Sequence, residues 1–352
     1  MTAEARWLSG LEERAREALE PTVLDYVLQG ARDSVTAAEA TQAWRAVRFR
    51  PRVLHDVTDV DPSVMLLGHR SALPFGVAPT TLQRAVHPEG EVAMARATAA
   101  AGGVLVVSSN AGTPFAEIAA TGVHWWLQAY LPADRTLAEP MLARAVAAGA
   151  GAVVLTVDTP VVGTKYAGEG LATVWESVDP ELLRANFDQG YAERPGSEKA
   201  LDLGPHDIDW LTRRTGLPVV VKGVLRAEDA DRSVQAGAAA VWVSNHGGRQ
   251  LDRAASTASC LPEVVAAVGD RAEVYVDGGI RTGLDVLAAL ALGARAVFLG
   301  RSPLLALVGG SDGVAALHRE LLLQAVDALR LGGCRTPADA RGLAAPGGPE
   351  GR

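Results

Sequence analysis

The chain has 352 residues, 48% of them hydrophobic and 21% charged, enough for an ordinary globular core that needs neither disulfides nor a structural metal. A formal net charge of −8 with both signs interspersed argues against a general nucleic-acid or anionic-membrane surface. The charged start MTAEARWLSGLEERAREALE has no leader-like apolar core, and no apolar stretch is long enough to span a bilayer, so a cytoplasmic protein is expected. Cys260 and Cys334 are far apart, lack metal-ligand spacing and fit a reducing compartment; no metal is expected.

Residues 4–45, rich in Ala, Glu and Arg, read as a helical extension broken near Gly30. From about residue 70 a rhythm begins. Apolar, largely β-branched runs fall at 73–79, 104–109, 124–131, 151–158, 217–224, 239–245, 273–279 and 294–301. Stretches such as EGEVAMARATAAAG, LAEPMLARAVAAG and RAEDADRSVQAG lie between them and read as helices, each closed by a glycine suited to a C-cap. Continuous apolar strands alternating with helices imply a parallel sheet covered on its face. Eight such units predict an α/β fold of the (β/α)8 TIM-barrel type, with the barrel over about 70–330 inside a single domain of residues 1–352. An open doubly wound sheet with misread strands is the alternative. The long connection after the fourth run predicts a lid at about 166–205, and the Gly- and Pro-rich tail at 344–352 is expected to be disordered.

In such a barrel the ligand chemistry belongs at the C-terminal ends of the strands. Those ends carry Thr80 and Thr81, Ser108, Gln128 and Tyr130, Thr156 and Asp158, Lys222, His246 with Arg249, Asp277 with Gly278 and Gly279, and Gly300 with Arg301. VDGGIRTG and FLGRS follow the last two strands, where backbone N–H groups freed by glycine, with Arg281 and Arg301, suit a phosphate; two tight turns flanked by surface arginines are the other reading. Lys222, among apolar neighbours, needs an anion or a ligand, unless its stem lies along the rim with its head in water. Asp158 is suited to orient His246, unless it bonds only the turn that follows it.

The segments APTTLQRAVHPEGE, TVDTP, LPVVVKG, SNHGGRQLD and DGGIRTGLDVLAALALGARAVFLGR, in this order along the barrel, resemble the FMN-dependent 2-hydroxy acid oxidase and dehydrogenase family. The resemblance runs from about residue 15 to 331 and implies FMN as cofactor. By it, His246 matches the active-site base, Asp158 its paired carboxylate and Tyr130 a tyrosine near the reacting carbon. Arg249 and Tyr26 match the groups that hold the substrate carboxylate, and Lys222 the lysine beside flavin N1 and O2. Thr80, Ser108, Gln128, Thr156 and Ser244 match further flavin contacts. Asp277, Gly279, Arg281, Gly300 and Arg301 match the ribityl and phosphate cradle.

The implied reaction turns a small 2-hydroxy acid into the 2-keto acid, with oxygen or another acceptor reoxidising the cofactor. An assembly of four or more identical chains is expected from the same resemblance. Three positions depart from the family pattern. Lys165 stands where a second, substrate-binding arginine is usual, keeping the charge but losing the fork. Asn110 stands where many members carry a bulky apolar or aromatic residue, and Thr81 where a small Ala or Gly is frequent near flavin N5. Substrate and acceptor are therefore open, and other readings remain: an FMN barrel acting as an isomerase or a peptide-modifying oxidase, a flavin binder without turnover, or a phosphate-binding barrel without flavin.

Overall fold

Every one of the eight apolar runs contains a strand. A computed structural model describes residues 7–166, 168, 173–179 and 182–345, so part of the predicted lid and nearly all of the predicted tail lie outside the described residues. A hairpin of β1 (Val64–Leu66) and β2 (His69–Ser71) comes first and is antiparallel. The barrel follows as β3 (Phe75–Val77), β4 (Val104–Ser108), β5 (His124–Ala129), β6 (Val153–Thr156), β7 (Val219–Val224), β8 (Ala240–Val243), β9 (Glu273–Val276) and β10 (Ala296–Leu299). All eight pair in parallel, and β10 pairs with β3, which closes the barrel and removes the open-sheet alternative.

The period of two along each strand divides the core. In β8, Ala240 and Trp242 point into the barrel, whereas Val241 and Val243 pack outward with the helices. Trp126, Trp242, Tyr275 and Phe298 fill the barrel interior, with the Trp242 and Phe298 ring centroids 4.1 Å apart. The barrel is therefore a packed core and not a pore, and a ligand must sit above this layer. The unforeseen hairpin joins the same interior cluster through Val64 and Leu66. A run of three residues is too short for a periodicity reading to register.

The predicted N-terminal extension is helical among its described residues but is broken at more points than the one expected. It comprises α1 (Leu11–Ala18), α2 (Pro21–Leu28) and α3 (Val35–Arg45), with Pro21 opening the second helix in addition to the expected break near Gly30. Helix α3 is fastened over the barrel mouth: Thr41 Oγ1 donates to the Gly279 carbonyl (3.1 Å), Trp44 Nε1 to that of Gly278 (2.6 Å), and the Thr36 N–H to Asp252 (3.0 Å). The predicted glycine stops operate as expected, Gly237 taking φ +96 behind the helix Ala227–Gln235. Within the segment predicted as a lid, the described residues include a short helix (Val174–Ser177) and a 3₁₀ turn (Tyr191–Glu193), and Pro205 opens the next long helix. The C-terminal part of the segment is tied down, because Ala200 N–H donates to Leu131 (3.0 Å) and Ala133 N–H to Glu198 (2.8 Å).

At the N-terminal end of β5, His124 stacks on His69 with centroids 3.6 Å apart, and its Nε2 accepts from Trp126 Nε1 at 3.3 Å. An accepting Nε2 carries no proton. Burial, reinforced by the neighbouring His69, pushes His124 down to about 4. The folded value lies below the ordinary 6.5, so the associated stability is present above 6.5 and lost as pH falls through about 4. Thermal unfolding between pH 7 and 4 should show Tm falling by several degrees, with a shallower fall in His124→Gln. Equal slopes would show that the stacked pair does not contribute.

Candidate active site

A cavity of about 460 Å³ opens at the C-terminal ends of the strands. Of the candidate site residues read from the sequence, all but Asp158 and Ser244 line it. These two stand directly behind lining residues and hold them.

His246 follows β8 with φ +58, a left-handed conformation that costs a non-glycine residue about 1–3 kcal/mol. Its backbone N–H donates to Ser244 Oγ (3.1 Å), and its Nδ1 lies 3.0 Å from Asp158 Oδ1. Thr159 Oγ1 donates to the same carboxylate oxygen at 3.1 Å. Burial would raise the Asp158 carboxyl, but the His246 charge and hydrogen bond, with Lys222 and Thr159, hold it below the usual carboxylate value. An ionised carboxylate only accepts, so Nδ1 carries the proton and Nε2 keeps its lone pair. Tyr130 lies beyond β5 at the same rim. Burial and the Asp158 charge raise its phenol, which stays protonated as a donor.

Arg249 is aimed by the N-terminal extension. Its Nη1 donates to the Tyr26 and Gln29 carbonyls (2.7 and 2.8 Å), and its guanidinium lies 4.7 Å from the centroid of the Tyr26 ring. Among the described residues Nε and Nη2 have no hydrogen-bond partner and remain as the donors of the fork. The expectation for Lys165 changes in one respect. It lines the cavity, but its Nζ donates to the carbonyls of Gly163 (2.8 Å) and Arg249 (3.0 Å), so much of its donor capacity is spent on backbone.

Deeper in the cavity Lys222 finds the anion its surroundings require. Its Nζ lies 3.0 Å from Asp277 Oδ2 and donates to Ser244 Oγ at 2.8 Å, while Ser244 Oγ donates to Asp277 Oδ1 at 2.6 Å. Asp277, assigned from the resemblance to the ribityl and phosphate cradle, is thus engaged with Lys222. Arg301 is held by the carbonyls of Val27 (3.1 Å), Gly247 (2.9 Å) and Gln29 (3.2 Å). Arg281 lies beside it, and burial followed by the nearness of Arg249 and Arg281 lowers the Arg301 guanidinium. Clustered, dehydrated guanidinium groups call for an anion. Gly279, at φ +82, brings backbone so near α3 that a Cβ would sit 2.5 Å from Ala40 main-chain atoms. Gly300 has open space where its side chain would be.

Two buried atoms on the cavity wall, Gln128 Nε2 and Thr156 Oγ1, have no partner among the described residues. Ser108 Oγ, beside them, donates to Gln128 Oε1 at 3.3 Å, and Thr80 Oγ1 accepts from Gln83 Nε2 at 3.1 Å. Of the departures from the family pattern, Thr81 Oγ1 donates to the Asn110 carbonyl at 3.0 Å, and both residues line the cavity.

A model of the FMN-dependent dehydrogenase family matches residues 15–344. The chain belongs to this family. Its cofactor is FMN, and it is a member of the FMN-dependent 2-hydroxy acid oxidases. Glycolate oxidase 1 of Oryza sativa subsp. indica is 40% identical over 336 residues, covering 92% of this chain and 91% of its own. The 4-hydroxymandelate oxidase of Amycolatopsis orientalis is 40% identical over 351 residues, covering 96% and 97%. A mandelate oxidase solved with benzoyl-formic acid superposes with a TM-score of 0.89 at 40% identity, over 97% of this chain and 98% of that one.

The cavity fits the family's cofactor. The orphaned Gln128 and Thr156 atoms suit the polar edge of an isoalloxazine, Lys222 supplies a cation, and Arg281 with Arg301 suits a phosphate. The sequence reading missed Thr159, Trp175, Arg184, Lys199 and Gln250, which also line the site. Apart from Thr159, directly after Asp158, and Gln250, inside SNHGGRQLD, these lie in the irregular segment after β6, where no periodicity marks a side chain as inward-facing.

Proposed function

We propose that this protein oxidises a small 2-hydroxy acid to the corresponding 2-keto acid, with His246 as base and Arg249 as the carboxylate anchor. The reading rests on one observation: His246 Nδ1 is engaged by the Asp158 carboxylate at 3.0 Å, and His246 lines the same cavity as the Arg249 guanidinium, which has two nitrogens to spare among the described residues. The Asp158 charge stabilises the imidazolium that forms when Nε2 takes a proton from the substrate. Arg249, with Tyr26, fixes the carboxylate and so the position of the hydroxyl-bearing carbon. Tyr130, kept protonated, donates toward the oxygen that becomes the carbonyl. FMN, when bound, supplies the acceptor for the two electrons that leave the substrate, and Lys222 provides the positive charge that favours a reduced, anionic ring. Relatives that are named as oxidases support oxygen as the final acceptor.

The test is spectroscopic. Purified protein should show oxidised flavin bands, and anaerobic addition of members of an (S)-2-hydroxy acid panel should bleach them. Flavin that stays oxidised with every acid would overturn the reading.

A further inference from the structure

We propose that Lys199 makes this a site for 2-hydroxy dicarboxylic acids, its ammonium holding the second, distal carboxylate while Arg249 holds the first. The inference rests on the reaction proposed above and names the substrate class for it. Lys199 belongs to the segment that returns from the lid, and its backbone is fixed there. It forms an antiparallel bridge with Pro132, with Ala133 N–H to Glu198 and Ala200 N–H to Leu131 on either side. That pairing brings Nζ to 3.9 Å from the centroid of the Tyr130 ring, on the wall shared with His246 and Arg249.

No carboxylate among the described residues lies within ion-pair distance of Lys199, and the acid whose charge it feels, Asp158, is committed to His246. Lys165 has its two carbonyls, whereas Lys199 makes no such hydrogen bond among the described residues. Burial lowers Lys199 to about 8. Burial, then Arg249 and Lys199, lowers Lys165 to about 8, as expected where cations share a cavity short of anions. One substrate carboxylate satisfies Arg249 and leaves Lys199 over a phenol face. A methyl or phenyl group there would cover the ammonium without pairing it, whereas a distal carboxylate removes the penalty. The competing role for Lys199 is to brace Tyr130 through the cation–π contact, which would affect all substrates alike.

Two chain-matched pairs separate these roles: 2-hydroxypentanedioate against 2-hydroxypentanoate, and 2-hydroxybutanedioate against 2-hydroxybutanoate, all as S-enantiomers. Wild type should reduce flavin anaerobically with a diacid-to-monoacid ratio in the apparent second-order rate constant of reduction of about tenfold or more for at least one pair, as a charged hydrogen bond allows. Lys199→Met should lower that ratio about tenfold, and Lys199→Arg should retain most of it. Calorimetric binding of the matching 2-oxo diacids and monoacids to the flavin-loaded protein gives a readout independent of turnover. A wild type that favours neither diacid, or a ratio unchanged in Lys199→Met, overturns the proposal. If no 2-hydroxy acid reduces the flavin, the reaction reading fails, and the calorimetric ratio still decides whether Lys199 selects a distal carboxylate.

Discussion

His246→Ala is expected to purify as a yellow, folded protein whose anaerobic flavin reduction is slowed by about 10²–10⁴, the usual contribution of a positioned general base. The effect should fall on the reduction step, because Arg249, Tyr26 and the arginine cluster are untouched. The substitution leaves Asp158 without its imidazole partner, so His246→Gln serves as a control that keeps an amide donor near the carboxylate. Both variants should be slow, the second with the smaller loss of stability. Stopped-flow absorbance with any acid that reduces wild type makes the comparison. A rate within about threefold of wild type in both would assign the base elsewhere.

Asp277→Ala should have the largest effect on stability. Lys222 and Asp277 are both buried, 3.0 Å apart, with Ser244 bridging them. Removing the carboxylate leaves a buried ammonium without its partner, and breaking a buried pair from one side costs about 3–5 kcal/mol. The double variant Lys222→Met, Asp277→Leu removes both charges and should recover much of that loss, although it also removes the cation proposed beside the cofactor. Urea unfolding of wild type, Lys222→Met, Asp277→Leu and the double variant closes the cycle, with Asp277→Ala measured beside them. A single variant within about 1 kcal/mol of wild type would show that water or another group reaches Lys222 after the change.

The barrel was legible because its strands are buried on both faces and its helices end on glycine; both habits leave continuous local signals. The residues after the strands were legible for a related reason. In a closed parallel barrel, chain direction decides which rim each strand end occupies, so Gln128, Thr156, Lys222 and Asp277 converge although far apart in sequence. Distances between side chains carry no such local signal. That Lys222 finds Asp277, that Lys165 turns onto carbonyl groups, and that Trp44 and Thr41 fasten the extension to the Gly278 and Gly279 turn all depend on contacts between distant segments.

SNHGGRQLD shows where the division falls. The residue types and their order, a histidine and an arginine around paired glycines after an apolar strand, carried the family resemblance and through it the expected class of chemistry, which their spacing alone left open. Only the tertiary structure decided which nitrogen of His246 is engaged, because Asp158 comes from β6 and not from its own loop. It also decided what else lines the cavity. Lys199 lies in a segment without periodicity and enters the cavity because two backbone hydrogen bonds pin it beside Leu131 and Ala133. Local sequence specifies strands, helices and turns through short-range sterics and burial; the meeting of Lys199, Tyr130, His246 and Arg249 required the closed barrel and the pinned backbone at Glu198–Ala200 to place them around one cavity.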